Sequence, residues 1–207
     1  MKSLKKLAIA TSLLTFAAVS PAAADAAKPG QSMTHMKTEK GISSTLEAAG
    51  VILYVQGGAT SAVMGDSVEA ANGQYVFHIP VTGTKSGVQH LGSNIVFFNT
   101  TNNKQVQLKN PVIDLATGQI SAVVAQAENK SMPILKITNA SALKAELSND
   151  RKLGTKTTAY KAAALSLAPG IGAALSSLLG LPDGSLPEGA GFGSADVTIY
   201  SKLSKKK

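Results

Sequence analysis

QYVFHIPVTGTKSGVQHLGSNIVFFNTTNNKQVQLKNPVIDLATGQISAVV, Gln74 to Val124, carries the pattern that decides the fold. From Tyr75 to Val81, the residues Tyr75, Phe77, Ile79 and Val81 alternate with Val76, His78 and Pro80. A repeat of two is the mark of a strand with one face buried. Pro80 has no amide hydrogen for a ladder, so it belongs at a strand end, an edge or a bulge. After Asn94, the run Ile95 to Phe98 is continuously apolar, as expected of a strand covered on both faces. Thr100-Thr101-Asn102-Asn103 supplies residues that tolerate turn dihedrals, and Lys104 to Leu108 leads back with Val106 and Leu108 inward. Asn110-Pro111 bends the chain into Val112 to Leu115, and Ala116-Thr117-Gly118 turns it into Ile120 to Val124. Short strands punctuated this often predict an all-β fold, an antiparallel β-sandwich or flattened barrel.

Outward from that block, Gly41 to Gly50 reads as one or two helical turns, capped by Ser43 or Ser44 and stopped by Gly50. Val51 to Val55 and Thr60 to Met64 read as strands broken by Gly57-Gly58. On the far side, Ile134 to Ile137 and Leu143 to Leu147 read as strands, with Asn149-Asp150 as a turn. Thr155 to Leu167 is read as a strand on its threonines and alternation, against the helix propensity of Ala162-Ala163-Ala164. Pro169 suits a first helical position. Ile171, Ala174, Leu175, Leu178 and Leu179 then share a face and Gly180 stops the turn. This predicts one short C-terminal helix plugging an open end. Ala195 to Ser201 is expected as a last, edge strand, with the terminal lysines discouraging further pairing.

The chain opens with Lys2, Lys5 and Lys6, an apolar run from Leu7 to Val19, and small residues through Ala26. This describes a secretory signal peptide over 1–26, cleaved after Ala24 or Ala26. The run is short of the roughly 20 residues that a span needs, so no membrane span is expected after its removal. The protein is thus expected to be secreted, extracellular or associated with a cell wall. Zero cysteines exclude disulfides and thiolate metal sites. Residues 27–40 read as a flexible N-terminal arm, 41–201 as a single β-sandwich domain, and 202–207 as a basic tail. The arm holds Met33, His35 and Met36, donor types suited to Cu(I), although a solvated tail is the plainer reading.

The formal charge is +8, from 20 basic and 12 acidic residues. Loss of Lys2, Lys5, Lys6 and Asp25 with the leader leaves 17 and 11, or +6. Four of those charges are Lys202, Lys205, Lys206 and Lys207, so the basic pI belongs to the tail rather than to a binding face. The tail is suited to electrostatic contact with anionic wall polymer or lipid headgroups. Few aromatics and no tryptophan argue against stacking on sugars or nucleic acid, so no nucleic-acid partner is expected.

The order of features resembles a family of exported proteins common in actinobacteria. The matching segments are Thr45 to Val51, the "IPVTG" strand Ile79 to Gly83, His90-Leu91-Gly92, Ile95-Val96-Phe97, Leu108 to Ala122, and Phe192 to Val197. The block is also distantly similar to the Htaa-type haem-uptake domain of corynebacteria, and that resemblance implies a Tyr ligand to haem supported by a His. Ala48 and Ala49 stand where the ligand Tyr is expected, and Asn99-Thr100 where the supporting Gly-His falls. Tyr54 and His90 are the nearest substitutes.

No G-x-S-x-G elbow, H-E-x-x-H or P-loop occurs. Asp66, Asp114, Asp150, Asp183 and Asp196 lie in or beside predicted turns, where carboxylates bond local amides. The sequence therefore predicts a non-enzymatic binding or structural module, contacting a cell-envelope polymer or another surface protein. Its alternatives are haem or small-ligand capture and a hydrolase with a dispersed site. The candidate residues are Tyr54, His78 and His90 for a ligand and the four C-terminal lysines for a surface. No cofactor other than haem is suggested.

Overall fold

The computed structural model describes residues 31–64, 74–186 and 188–203. The leader, Asp66 and Lys205 to Lys207 lie outside them. Alternation is realised almost throughout. In β4 (Gln74–Pro80), Tyr75, Phe77 and Ile79 are buried. In β7 (Gln105–Asp114) and β8 (Gln119–Val124), Val106, Leu108, Ile113, Ile120, Ala122 and Val124 point inward. The remaining strands are β1 (Met33–Thr38), β2 (Val51–Gly57), β3 (Thr60–Met64), β5 (Val88–Gln89), β6 (Ser93–Asn99), β9 (Lys130–Ile137), β10 (Glu146–Asp150), β11 (Thr155–Leu167) and β12 (Gly191–Lys202). The helices are α1 (Ile42–Ala48) and α2 (Ile171–Leu179).

The strands form one antiparallel sheet in the order β2-β6-β7-β8-β9-β11-β12-β1-β4-β3, with β10 added to β11 and β5 to β7. Its two ends, β2 and β3, are consecutive in the chain and joined by Gly58-Ala59. The sheet is therefore a nearly closed, flattened barrel, and the all-β expectation holds. The seam is bridged rather than open. α1 lies against β2 and β4, and the hydroxyl of Tyr75 from β4 sits by the backbone of Leu53. Burial is the main cause that pushes that phenol's pKa up.

α2 closes one end of the barrel with Ile171, Leu175 and Leu179 buried. Its C-terminus is latched to the β6–β7 turn, where the side-chain amides of Asn99 and Asn102 both donate to the Leu179 carbonyl at 2.9 Å. At the other terminus Glu188 accepts from the amides of Gly170 at 2.7 Å and Ala173 at 3.4 Å, meeting the positive end of the helix.

Several expectations need correction. Residues 33–38 are not a flexible arm: β1 sits between β12 and β4. Its period was masked because two of its three inward residues, Thr34 and Thr38, are polar. Both are satisfied inside, since Thr38 Oγ1 accepts from the Tyr75 amide at 2.9 Å and Thr34 meets His90. β12 is likewise no edge from Gly193 to Thr198, where β11 and β1 flank it, and only Ile199 to Lys202 run on beyond β1. The Leu143–Leu147 segment is mostly not a strand. A short 3-10 turn covers Ala140–Ala142, and β10 runs through Asn149 and Asp150. The turn falls at 151–154, fixed by Asp150 Oδ1 accepting from the amides of Lys152 and Leu153. Neither serine caps α1, which follows Gly41 at φ 83° with no side-chain cap. Pro169 precedes α2, which starts after Gly170.

Candidate functional site

The barrel end opposite α2 is closed by residues 81–92, and His90 is the residue that holds them. Its side chain is 1% exposed. Asn110 adopts a left-handed φ of 50°, and the β7–β8 register shifts between Lys109 and Val112. Asn tolerates that conformation better than most residues, and Pro111 has no amide for the ladder to lose. Asn110-Pro111 is thus a bulge inside a continuous strand rather than a bend between two. The Pro111 carbonyl accepts from the His90 backbone amide at 3.0 Å and from Nδ1 at 2.9 Å. Because a carbonyl only accepts, Nδ1 carries the proton, and Nε2 accepts from Thr34 Oγ1 at 2.7 Å. Asn110 Oδ1 in turn accepts from the Gly92 amide at 2.8 Å. The His-x-Gly and Asn-Pro segments are therefore two halves of one clasp. Burial lowers the His90 pKa, and the Pro111 carbonyl only partly offsets it.

With both ring nitrogens engaged, His90 is a scaffold residue. His78 and Tyr54 lie elsewhere. His78 faces outward from β4 against His35 of β1, and the Tyr54 hydroxyl donates to Gln105 Oε1 at 3.4 Å. The three do not converge. The Met33-His35-Met36 cluster also divides, since Met36 is buried in the core while His35 is exposed on the opposite face. Beneath α2 lies a cavity of about 20 Å³ lined by Met36, Phe97, Leu108, Leu135, Leu167 and Leu175. It is apolar and large enough for no more than about a water.

The described carboxylates are mostly spent locally. Asp114 Oδ1 accepts from the amides of Ala116 and Thr117, and Asp196 Oδ1 accepts from Ala162 at 2.7 Å. Asp114 is held below the usual carboxylate range, first by the Thr117 side chain and then by the two amides. No group of three or more His, Cys, Asp or Glu with metal-holding geometry occurs among the described residues. No described helix is long and apolar enough to cross a membrane.

A basic end emerges instead, which the sequence placed only in the tail. The last β1–β12 pair is Met33 with Thr198, so Ile199 to Lys202 run on past the barrel, paired with the start of β11. β10 adds a third strand to this wing. Arg151, Lys152, Lys156 and Lys202 are exposed there. So are Leu147 and Leu153, at 63% and 59%. Glu146 is paired with Lys161 at 2.9 Å, which leaves the Asp150 carboxylate, whose Oδ1 also fixes the turn, beside the four cations.

Comparison with family models, with curated proteins and with solved structures finds no match. The chemistry of the wing is therefore the basis for a functional reading. Its signal in the sequence was the Arg151-Lys152 pair before Gly154, which gathers with Lys202 only once the β11–β12 register is known.

Proposed function

We propose that this is an exported, non-enzymatic binding module that attaches to an anionic envelope surface through the wing of β10, β11 and β12. One bond carries the reading: the Leu203 amide donates to the Gly154 carbonyl at 2.9 Å. It holds Lys202 and Leu203 against the turn that bears Arg151 and Lys152. Each Lys or Arg near an anionic bilayer contributes about 1 kcal/mol, falling off within a Debye length. Leu147 and Leu153 project among these cations, and exposed leucines favour the headgroup boundary of a lipid over a hydrated polymer.

Co-sedimentation with phosphatidylglycerol vesicles, phosphatidylcholine vesicles and an insoluble anionic wall polymer tests this. Binding is expected to the anionic surfaces alone and to weaken with salt. Arg151→Glu, Lys152→Glu and Lys156→Glu together should weaken it by about a hundredfold or more. Leu147→Ser with Leu153→Ser should weaken vesicle binding and leave polymer binding unchanged. Binding that survives the charge reversals rules the reading out.

A further inference from the structure

His35 and His78 stand opposite one another on neighbouring strands, with ring centres 4.5 Å apart and planes inclined at 37°. The strand period makes this a surface pair: Thr34 and Met36 point into the barrel while His35 points out, and Phe77 and Ile79 point in while His78 points out. We infer that the pair is a chelating site for a divalent late first-row ion with square geometry, Cu²⁺ or Ni²⁺. An imidazole bound at about 2.0–2.1 Å has its ring centre about 3.2 Å from the ion. Two imidazoles at a right angle then have centres about 4.5 Å apart, and two at a tetrahedral angle about 5.2 Å. The observed spacing agrees with the right angle.

The scaffold is suited to hold that spacing. β1 is bonded on both sides, by β12 and β4, and β4 by β1 and β3, so neither backbone is free to swing. Asp196 lies opposite His35 on β12, but its Oδ1 is committed to the Ala162 amide. With no third His, Cys, Asp or Glu in metal-holding position among the described residues, the two imidazoles are the protein's share. Solvent completes the coordination, which makes the site open and exchangeable. The site is independent of the basic wing.

Titration of the full chain with Cu²⁺ near neutral pH, followed by calorimetry and electron paramagnetic resonance, tests the inference. One site with two coupled imidazole nitrogens is expected. His35→Gln and His78→Gln should each lower the affinity about tenfold or more, through loss of the chelate's effective concentration. The double variant should be little worse than either single one, because the pair acts as a unit. Both side chains lie outside the core, and circular dichroism of the variants should match the parent. Copper binding that is unchanged in both variants overturns the inference, as does dependence on one histidine alone or a two-imidazole signal in the double variant.

Discussion

Gly57→Ala is expected to destabilise the protein by about 3–5 kcal/mol, as read from urea unfolding. Gly57 has a φ of 76°, and a Cβ there would overlap the backbone carbonyl of Gly92. The Gly92 carbonyl also accepts from the Gly58 amide at 3.1 Å, so it has little room to retreat. Gly92→Ala supplies the control. Its φ of 78° is equally left-handed, yet nothing lies within 4 Å of a Cβ there. It should cost only the conformational penalty, about 1–2 kcal/mol. Equal costs at the two positions would show that the 90–92 turn does not press on the β2–β3 connection.

The second large effect concerns His90. His90→Ala removes a buried ring and leaves the Thr34 hydroxyl and Pro111 carbonyl short of a partner, at a cost of about 3–5 kcal/mol. The pH dependence is more specific. The folded-state pKa of His90 lies below the unfolded value near 6.5, so below that pH the unfolded chain binds the proton first. Stability is full above the unfolded pKa and falls as pH drops from it towards the folded one, with a slope of at most about 1.4 kcal/mol per pH unit. Asp114 acts in a separate window. Its lowered pKa gives stability that is lost only as pH falls through the carboxylate range. Urea midpoints between pH 7 and 5 should therefore slope in the parent and flatten in His90→Phe. A parent slope retained in full by the variant would remove His90 from the account.

Most of the barrel was legible because its strands obey the period of two with apolar residues. Gln74 to Val124 folds into consecutive antiparallel strands, and β11 runs on as a strand through its three alanines, with a bulge at the left-handed Ala162. Two of the readings that failed, those of β1 and β12, share a cause. β1 buries threonines, so polarity concealed its inner face, and only the partner groups of Tyr75 and His90 make those hydroxyls tolerable inside. The interior place of β12 depends on β1, so missing one strand turned the other into an edge. His90 beside a glycine was legible as a candidate functional residue. Its partner was not, because Pro111 meets it only through a bulge whose left-handed Asn110 leaves no periodic trace. The His35–His78 pairing and the gathering of Arg151, Lys152 and Lys202 are products of strand register, which composition and spacing do not encode.

The attachment claim is tested most directly by hydrogen exchange of the protein with and without phosphatidylglycerol vesicles. The account predicts added protection confined to residues 146–156 and 199–203, with the α2 end of the barrel unchanged. Protection centred on α2 or on the outer face of β2 and β6, with the wing unaffected, would contradict it.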